Sequence, residues 1–205
     1  MNPSRIGVLV AAALLLCCAG VGWAASVADE LKPISAAEAE KRTDETRDFL
    51  IDLIAGKIDK LWHAGKHAEC VRLSRQTVEL DPHDTDAWTD LGWTLANLNR
   101  DAEAVEAYRA GIGANPGNFD IHQHFGMFYE RRKKYDKAVE QFRKAVANGA
   151  PQVWQHMLPK TLEKAGKKQE ALDEWRALLK RFPNDQHAKE EIKRLEEMLN
   201  PAQPT

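Results

Sequence analysis

The sequence predicts an all-α protein, built as a solenoid of about four helix-turn-helix repeats between residues 51 and 184. Three observations lead to this fold class. A pattern of apolar residues returns every 34 residues, small and bulky residues keep fixed places within it, and a proline closes most copies. Because a single helical hairpin cannot bury its apolar face alone, several copies must stack to form a core.

The period is clearest when residues 87–116, AWTDLGWTLANLNRDAEAVEAYRAGIGANP, are shifted by 34 positions. Leu91 and Gly92 then fall on Phe125 and Gly126. Further along the copy, the matched pairs are Ala104 with Ala138, Tyr108 with Phe142 and Gly111 with Ala145. A third copy, one residue shorter, contains Leu158, Leu162, Ala171, Trp175, Leu178 and Pro183. A degenerate upstream copy contains Ile54, Ile58, Leu61, Cys70, Ser74, Thr77 and Pro82.

Each copy holds two runs with apolar residues at helical spacing, separated by a polar turn. The turns are expected near Asn99-Arg100, Lys133-Lys134 and Gly166-Lys167. Small residues such as Gly92 and Ala104 are expected to let two helix backbones approach closely, while Tyr108 and its equivalents fill the space beyond. Pro82, Pro116 and Pro183 end the second helices, because proline lacks the N–H and clashes with the preceding turn.

With these residues the chain resembles the tetratricopeptide repeat family over roughly two-thirds of its length. The resemblance implies a right-handed α-solenoid of antiparallel helix pairs, with copies at residues 51–84, 85–118, 119–151 and 152–184. It also implies that the first helix of each pair lines a concave face, where extended peptides or partner helices bind. Two departures stand out: Lys57-Ile58 replaces the Leu-Gly pair in the first copy, and Pro159 takes the glycine position in the last. The proline is expected to kink or shorten its helix, at about 3 kcal/mol if the helix were otherwise ideal.

The flanks of the repeats are predicted to be helical as well. Ser35 and Glu38 form a capping-box pattern, in which each side chain satisfies a free backbone N–H. Residues 29–50 are therefore expected to form a polar N-terminal helix or linker that merges into the first repeat near Phe49. Residues 185–200 place apolar side chains on one face under a charged opposite face, which predicts a capping helix that hides the last apolar surface. Residues 201–205 are a tail.

The first 28 residues are typical of an export signal. A short basic start precedes an uncharged apolar run, and the small residues of Ser26-x-Ala28 or Ala24-x-Ser26 offer cleavage sites. The expected location is the periplasm or the outside of the cell. The alternative is an uncleaved membrane anchor at residues 6–25, since roughly 20 apolar residues can span a bilayer. Removal of the signal leaves Cys70 as a single thiol, interpreted as a buried core residue.

Composition and motifs argue against catalysis, cofactors, metals and nucleic acids. The formal net charge is −2, so bulk electrostatics do not favour DNA or RNA. His122 and His124 lie two residues apart and point roughly 200° from each other on a helix, so they cannot chelate one ion. The sequence lacks a G-x-S-x-G motif, a phosphate-binding loop and a C-x-x-C motif. We therefore expect a protein that is not an enzyme.

The resemblance implies a partner-binding surface at helical positions that recur with the repeat. Trp93 and Met127 are large residues where packing between repeats does not require them, which predicts an anchor for a partner. The alternative is that Trp93 covers the inner wall and meets only the N-terminal helix. Carboxylates gather early and cations late along these positions, which is expected to orient a partner. The candidate residues are Asp59, Asp86, Thr89, Trp93, Asn97, Gln123, Met127, Arg131, His156 and Lys160.

Together these features favour an exported, non-enzymatic adaptor that binds a segment of another protein on its concave face. The resemblance implies a role in an envelope assembly or maturation complex. The family's clamp for a C-terminal carboxylate would need donors where this chain has Ala55 and Asp59, so a receptor of that kind is not expected. The alternative hypothesis is a self-assembling structural protein, a homo-oligomer in which incomplete end repeats stack between chains.

Overall fold

The computed structural model describes residues 35–200, and these are helical throughout apart from turns and short connections. The described part of the chain divides into two units between Thr46 and Arg47, and the repeats lie in the second. The helices are α1 (Ala36–His63), α2 (His67–Leu80), α3 (Thr85–Asn97), α4 (Asp101–Ala114), α5 (Phe119–Arg131), α6 (Tyr135–Ala147), α7 (Gln152–Gln155), α8 (Met157–Lys164), α9 (Lys168–Arg181) and α10 (Gln186–Leu199). The predicted all-α solenoid of helix pairs is confirmed. The proposed signal and the tail lie outside the described residues.

The turn inside each helix pair repeats the same backbone geometry. One residue in each turn adopts a left-handed conformation, and these residues recur at intervals of 33 or 34: Gly65, Asn99, Lys133 and Gly166. The next residue donates its backbone N–H to the carbonyl five residues back, as Arg100 does to Leu95 at 2.9 Å. This Schellman arrangement satisfies carbonyls that a helix end otherwise leaves free. The period of the sequence is therefore also a period of the backbone.

Polar side chains cap the N-termini of several helices. Asp84 accepts the Ala87 N–H at 3.0 Å, and Asp185 accepts the Ala188 N–H at 3.0 Å. At the start of α1, the Ser35 hydroxyl accepts the Glu38 N–H at 3.1 Å, which is half of the expected capping box. The other half is replaced, because the Glu38 carboxylate accepts a hydrogen bond from Arg42 instead. Each cap stabilises its helix by about 1 kcal/mol.

Aromatic rings fill the space beside the repeat glycines. A Cβ added at Gly92 would lie 2.5 Å from the Tyr108 ring, and one at Gly126 would lie 2.6 Å from the Phe142 ring. The glycines therefore make room for the ring itself, whereas the sequence suggested close approach of two backbones with the ring beyond it. Tyr108 also stacks on Phe125, with ring centroids 5.0 Å apart. The ring-on-glycine contact joins the two helices of a pair, and the Tyr108–Phe125 stack joins that pair to the next.

Pro159 divides the first helix of the last repeat, as predicted. The helix is interrupted at His156, so that α7 ends at Gln155 and α8 begins at Met157. Proline has no N–H to donate to the carbonyl four residues earlier, and its ring crowds the preceding turn. At the interruption, the His156 ring forms a hydrogen bond with Asp185, the residue that caps α10.

Candidate partner-binding groove

A groove of about 370 Å³ lies among α1, α2 and α3, within residues 51–94. Helix α1 contributes Ile58 and Trp62 to one wall, and α3 contributes Trp93 to the other. Ser74 of α2 lies at the base. The lining is mostly apolar, which suits a partner side chain that must leave water.

The groove exists because the first repeat departs from the later ones. Ser74 stands where the next two copies place Tyr108 and Phe142, and Ile58 stands where they place Gly92 and Gly126. The small hydroxyl cannot fill the volume that an aromatic ring fills in the later pairs. The branched Ile58 side chain cannot make the ring-on-glycine contact either. An unfilled space therefore remains between the first helix pair and α3.

Trp93 forms the wall between this groove and a neighbouring cavity. Its ring lies 5.1 Å from the Trp62 ring, yet 42% of the residue remains exposed. On its other side, a cavity of about 40 Å³ is bordered by Trp93, Met127 and Arg131. Trp93 thus contacts α1, as one interpretation of the sequence held, while keeping a large exposed apolar surface beside Met127.

Carboxylates line the open side of the groove. Asp59, Asp84, Asp86 and Asp90 all border it. Within residues 35–200, no cation lies within ion-pair distance of Asp86 or Asp90, whereas Asp59 has the His63 ring at 3.4 Å. Desolvation raises the pKa of Asp90, and the neighbouring Asp86 and Asp84 carboxylates raise it further, against a smaller opposing effect of His124. The groove edge therefore favours an incoming positive charge.

The cations expected further along the surface are largely engaged within the protein. Arg131 donates to the Asn97 side chain at 3.0 Å, and Lys164 forms an ion pair with Glu130. His124 lies 3.4 Å from Asp120, whose side-chain hydrogen bond raises the pKa of the imidazole. Lys160 is exposed. Of the uneven charges seen in the sequence, the early carboxylates therefore remain more available to a partner than the late cations.

Three of the candidate residues are withdrawn from solvent. Thr89 is 5% exposed and donates its hydroxyl to the Asp86 carbonyl, and Gln123 is 1% exposed. The His156 side chain is 15% exposed and bonds Asp185 at 2.7 Å. These side chains offer little surface to a partner, so we remove them from the candidate site. Asp59, Asp86, Asn97 and Arg131 are exposed.

The structure adds residues that the sequence reasoning missed. Trp62, Ile58 and Asp90 line the groove although none was a candidate. Ser74, at a position that is aromatic in the next two copies, was the signal that could have located them. It marks the one place among the aligned copies where a small polar side chain replaces the ring.

Other kinds of site receive no support from the part of the chain that the structure describes. Residues 35–200 contain no cluster of three or more His, Cys, Asp or Glu side chains placed to hold a metal ion. Nor does any helix within that range have the length and apolar character required to span a bilayer. The groove is therefore the feature on which a function can be argued.

Comparison with known families agrees with the helix pairs. Tetratricopeptide repeat profiles match residues 119–147 and residues 160–185, which contain α5–α6 and most of α8–α9. This chain is a tetratricopeptide repeat protein. The profile of the bacterial transcriptional activator domain matches residues 4–113, just over half of the chain, and the chain belongs to that family as well. Tetratricopeptide repeats are protein-interaction modules, typically without catalytic activity.

Solved structures share the fold of this tetratricopeptide repeat protein at low sequence identity. The crystal structure of MamA has a TM-score of 0.54 and 15% identity, over 72% of this chain and 81% of that one. PilF of Pseudomonas aeruginosa has a TM-score of 0.56 and 20% identity, over 77% of this chain and 70% of that one. Protein bimA of Emericella nidulans is 28% identical over 83 residues, and the chain spans about a tenth of its length. The structural likenesses establish the fold alone.

Proposed function

We propose that this tetratricopeptide repeat protein is a non-enzymatic scaffold that holds a segment of another protein on its concave face. The observation that carries the proposal is the groove among α1, α2 and α3, walled by Trp62 and Trp93. A tryptophan with 42% of its surface exposed beside an unfilled apolar space is typical of an interface anchor. The neighbouring Met127 supplies an adaptable apolar surface.

The proposal includes export and a place in an envelope assembly or maturation complex. The basic start, apolar run and small-residue cleavage pattern of residues 1–28 support it. Membership of the bacterial transcriptional activator domain family does not alter the protein-binding part of the proposal. A formal net charge of −2 favours a protein partner over DNA, because nucleic-acid binding depends on neutralising phosphates.

Site-directed crosslinking tests the groove in the protein's own cells. A photoreactive residue replaces Ala55, which is exposed and lines the groove, in a chain expressed with its native N-terminus. The Trp93→Ala version removes the anchor. Trp154→Ala is the matched control, because Trp154 is 37% exposed and lies on α7, outside the groove.

A dominant protein crosslink in the envelope fraction, weakened at least about tenfold by Trp93→Ala and kept by Trp154→Ala, is the expected result. Equal crosslinking in both tryptophan variants would remove the groove from the function. A crosslinked product confined to the cytoplasm would overturn the export part and leave the binding part standing.

One observation favours the second candidate, self-assembly. Phe49 and Leu53 lie one helical turn apart on α1 and are 66% and 60% exposed. A second copy could cover that face, and the incomplete first repeat would then be completed between chains. Crosslinks from Ala55 only to the same protein would favour this candidate over the adaptor.

A further inference from the structure

We propose that the groove selects a cationic partner segment, in which one large apolar side chain is flanked by lysine or arginine. This inference rests on the proposed function and deepens it by naming the chemistry of the partner. Two independent features of the groove carry it: the missing aromatic volume above Ser74, and the carboxylates on the open side.

The apolar side chain takes the place of a ring that the first repeat lacks. In the next two repeats, Tyr108 and Phe142 occupy the equivalent space and are 2% and 1% exposed. Over Ser74 the same space is open and is bordered by Ile58 and Trp62. A partner's leucine or phenylalanine completes the packing that the chain completes for itself in later copies, and the gain is the usual one for burying apolar area.

The carboxylates of the groove account for the lysine or arginine residues that flank the apolar side chain of the partner. Asp86 and Asp90 lie one helical turn apart on α3 and have no ion-pair partner within residues 35–200. Asp59 faces the same groove from α1. A carboxylate pair without a cation at the edge of an apolar groove repels an acidic segment and attracts a basic one. The exposed part of the Trp93 ring is also suited to a guanidinium or ammonium group.

Charge complementarity favours a basic partner segment over an acidic or neutral one. An acidic peptide would meet Asp59, Asp86 and Asp90 at close range, and no lysine or arginine of residues 35–200 lines the groove to compensate. The later cations that could have served it, Arg131 and Lys164, are already engaged with Asn97 and Glu130. The basic segment therefore fits the groove better than an acidic or neutral one.

Fluorescence anisotropy with designed peptides tests the selection on the full chain. Three labelled peptides of equal length are compared. The first is a helical peptide of leucine and lysine. The second replaces each lysine of the first with glutamate, and the third replaces each leucine of the first with serine. The protein variants are the wild type, Asp86→Asn/Asp90→Asn, and Glu106→Gln/Glu190→Gln. The last variant is the control, because it also removes two negative charges, but at exposed positions outside the groove.

The lysine–leucine peptide is expected to bind the wild type at least about tenfold more tightly than either other peptide. Asp86→Asn/Asp90→Asn is expected to reduce its affinity about tenfold and to make binding less sensitive to salt, whereas the control pair keeps most of the affinity. Equal affinities for the lysine and glutamate peptides would overturn the inference. An equal loss in both charge variants would do so too, because it would assign binding to net charge.

The two proposals fail separately. If Ala55 crosslinks a partner in a manner that depends on Trp93, but the peptides show no charge preference, the scaffold function stands and the cationic selection is wrong. If the peptides discriminate as expected while Trp93→Ala leaves every native crosslink intact, the groove recognises basic segments in vitro and the proposed function is wrong.

Discussion

Replacing Gly92 with alanine tests the contact that joins α3 to α4 beside the groove. The added Cβ would lie 2.5, 2.6 and 2.8 Å from the Cζ, Cε1 and Cε2 atoms of the Tyr108 ring. The ring has little room to retreat, because it is 2% exposed and Phe125 stacks on it at 5.0 Å between centroids. Either the ring or the helix must therefore shift.

The magnitude follows from two opposing effects. Overpacking a core by one methyl group costs about 1–3 kcal/mol. Alanine gains about 1 kcal/mol over glycine from helix propensity. The expected net loss of stability for Gly92→Ala is therefore between about 0 and 2 kcal/mol, the propensity gain offsetting part of the steric cost.

Gly56→Ala is the matched control, since it makes the same chemical change in α1, where no atom lies within 4 Å of the added Cβ. It is expected to stabilise by about 0.5–1 kcal/mol. Thermal unfolding followed by circular dichroism then compares the two variants directly. The two variants should differ by about 0.5–3 kcal/mol, so at about 2–4 °C per kcal/mol for a chain of this size Gly92→Ala should melt about 1–12 °C below Gly56→Ala.

The result that would refute this reasoning is equal stabilisation by both substitutions. It would mean that the Tyr108 ring moves at no cost, and hence that the ring-on-glycine contact does not define the helix packing. The explanation of the groove, as the place where that contact is missing, would lose its physical basis.

Two further predictions concern Asp185 and Cys70. Burial raises the pKa of Asp185, but the Ala188 N–H and the His156 side chain outweigh it and hold the pKa at about 2. Because this lies below the unfolded value of about 3.9, the group's stabilisation, on the order of 2 kcal/mol, is complete above pH ~4 and lost as the pH falls towards 2. Melting temperatures should fall less steeply over that window in Asp185→Asn, and parallel profiles would contradict the assignment. The Cys70 thiol is 0% exposed, and burial raises its pKa. Mass spectrometry of its peptide should show alkylation about 100-fold slower in the native than in the unfolded chain, and equal rates would place the thiol at the surface.

The fold could be predicted because its determinants are local and repeated. The polar turns at Asn99 and Lys133 were located by the breaks in apolar periodicity, and the structure has its left-handed residues there. The interruption near Pro159 followed from the missing N–H alone. Such features depend on a few consecutive residues, so a single sequence with several copies shows them several times.

The candidate site was predicted less completely. Trp93 and Met127 could be selected because their size exceeds what packing requires at those positions. Thr89 and Gln123 share the same repeat spacing, yet the structure buries them. Helical phase gives the direction of a side chain to within a fraction of a turn, and neighbouring stripes on one helix can face solvent or the next helix.

By itself the sequence determined the all-α class, the repeat period and the positions of the turns. Only the tertiary structure decided that Ser74 and Ile58 leave a groove open, that Trp62 lies against a Trp93 ring that is still 42% exposed, and that Asp86 and Asp90 have no cation beside them within residues 35–200. The physical reason is the range of the interactions. Turns and helix ends are set by hydrogen bonds within a few residues, whereas a groove and its charge depend on which side chains from different helices meet.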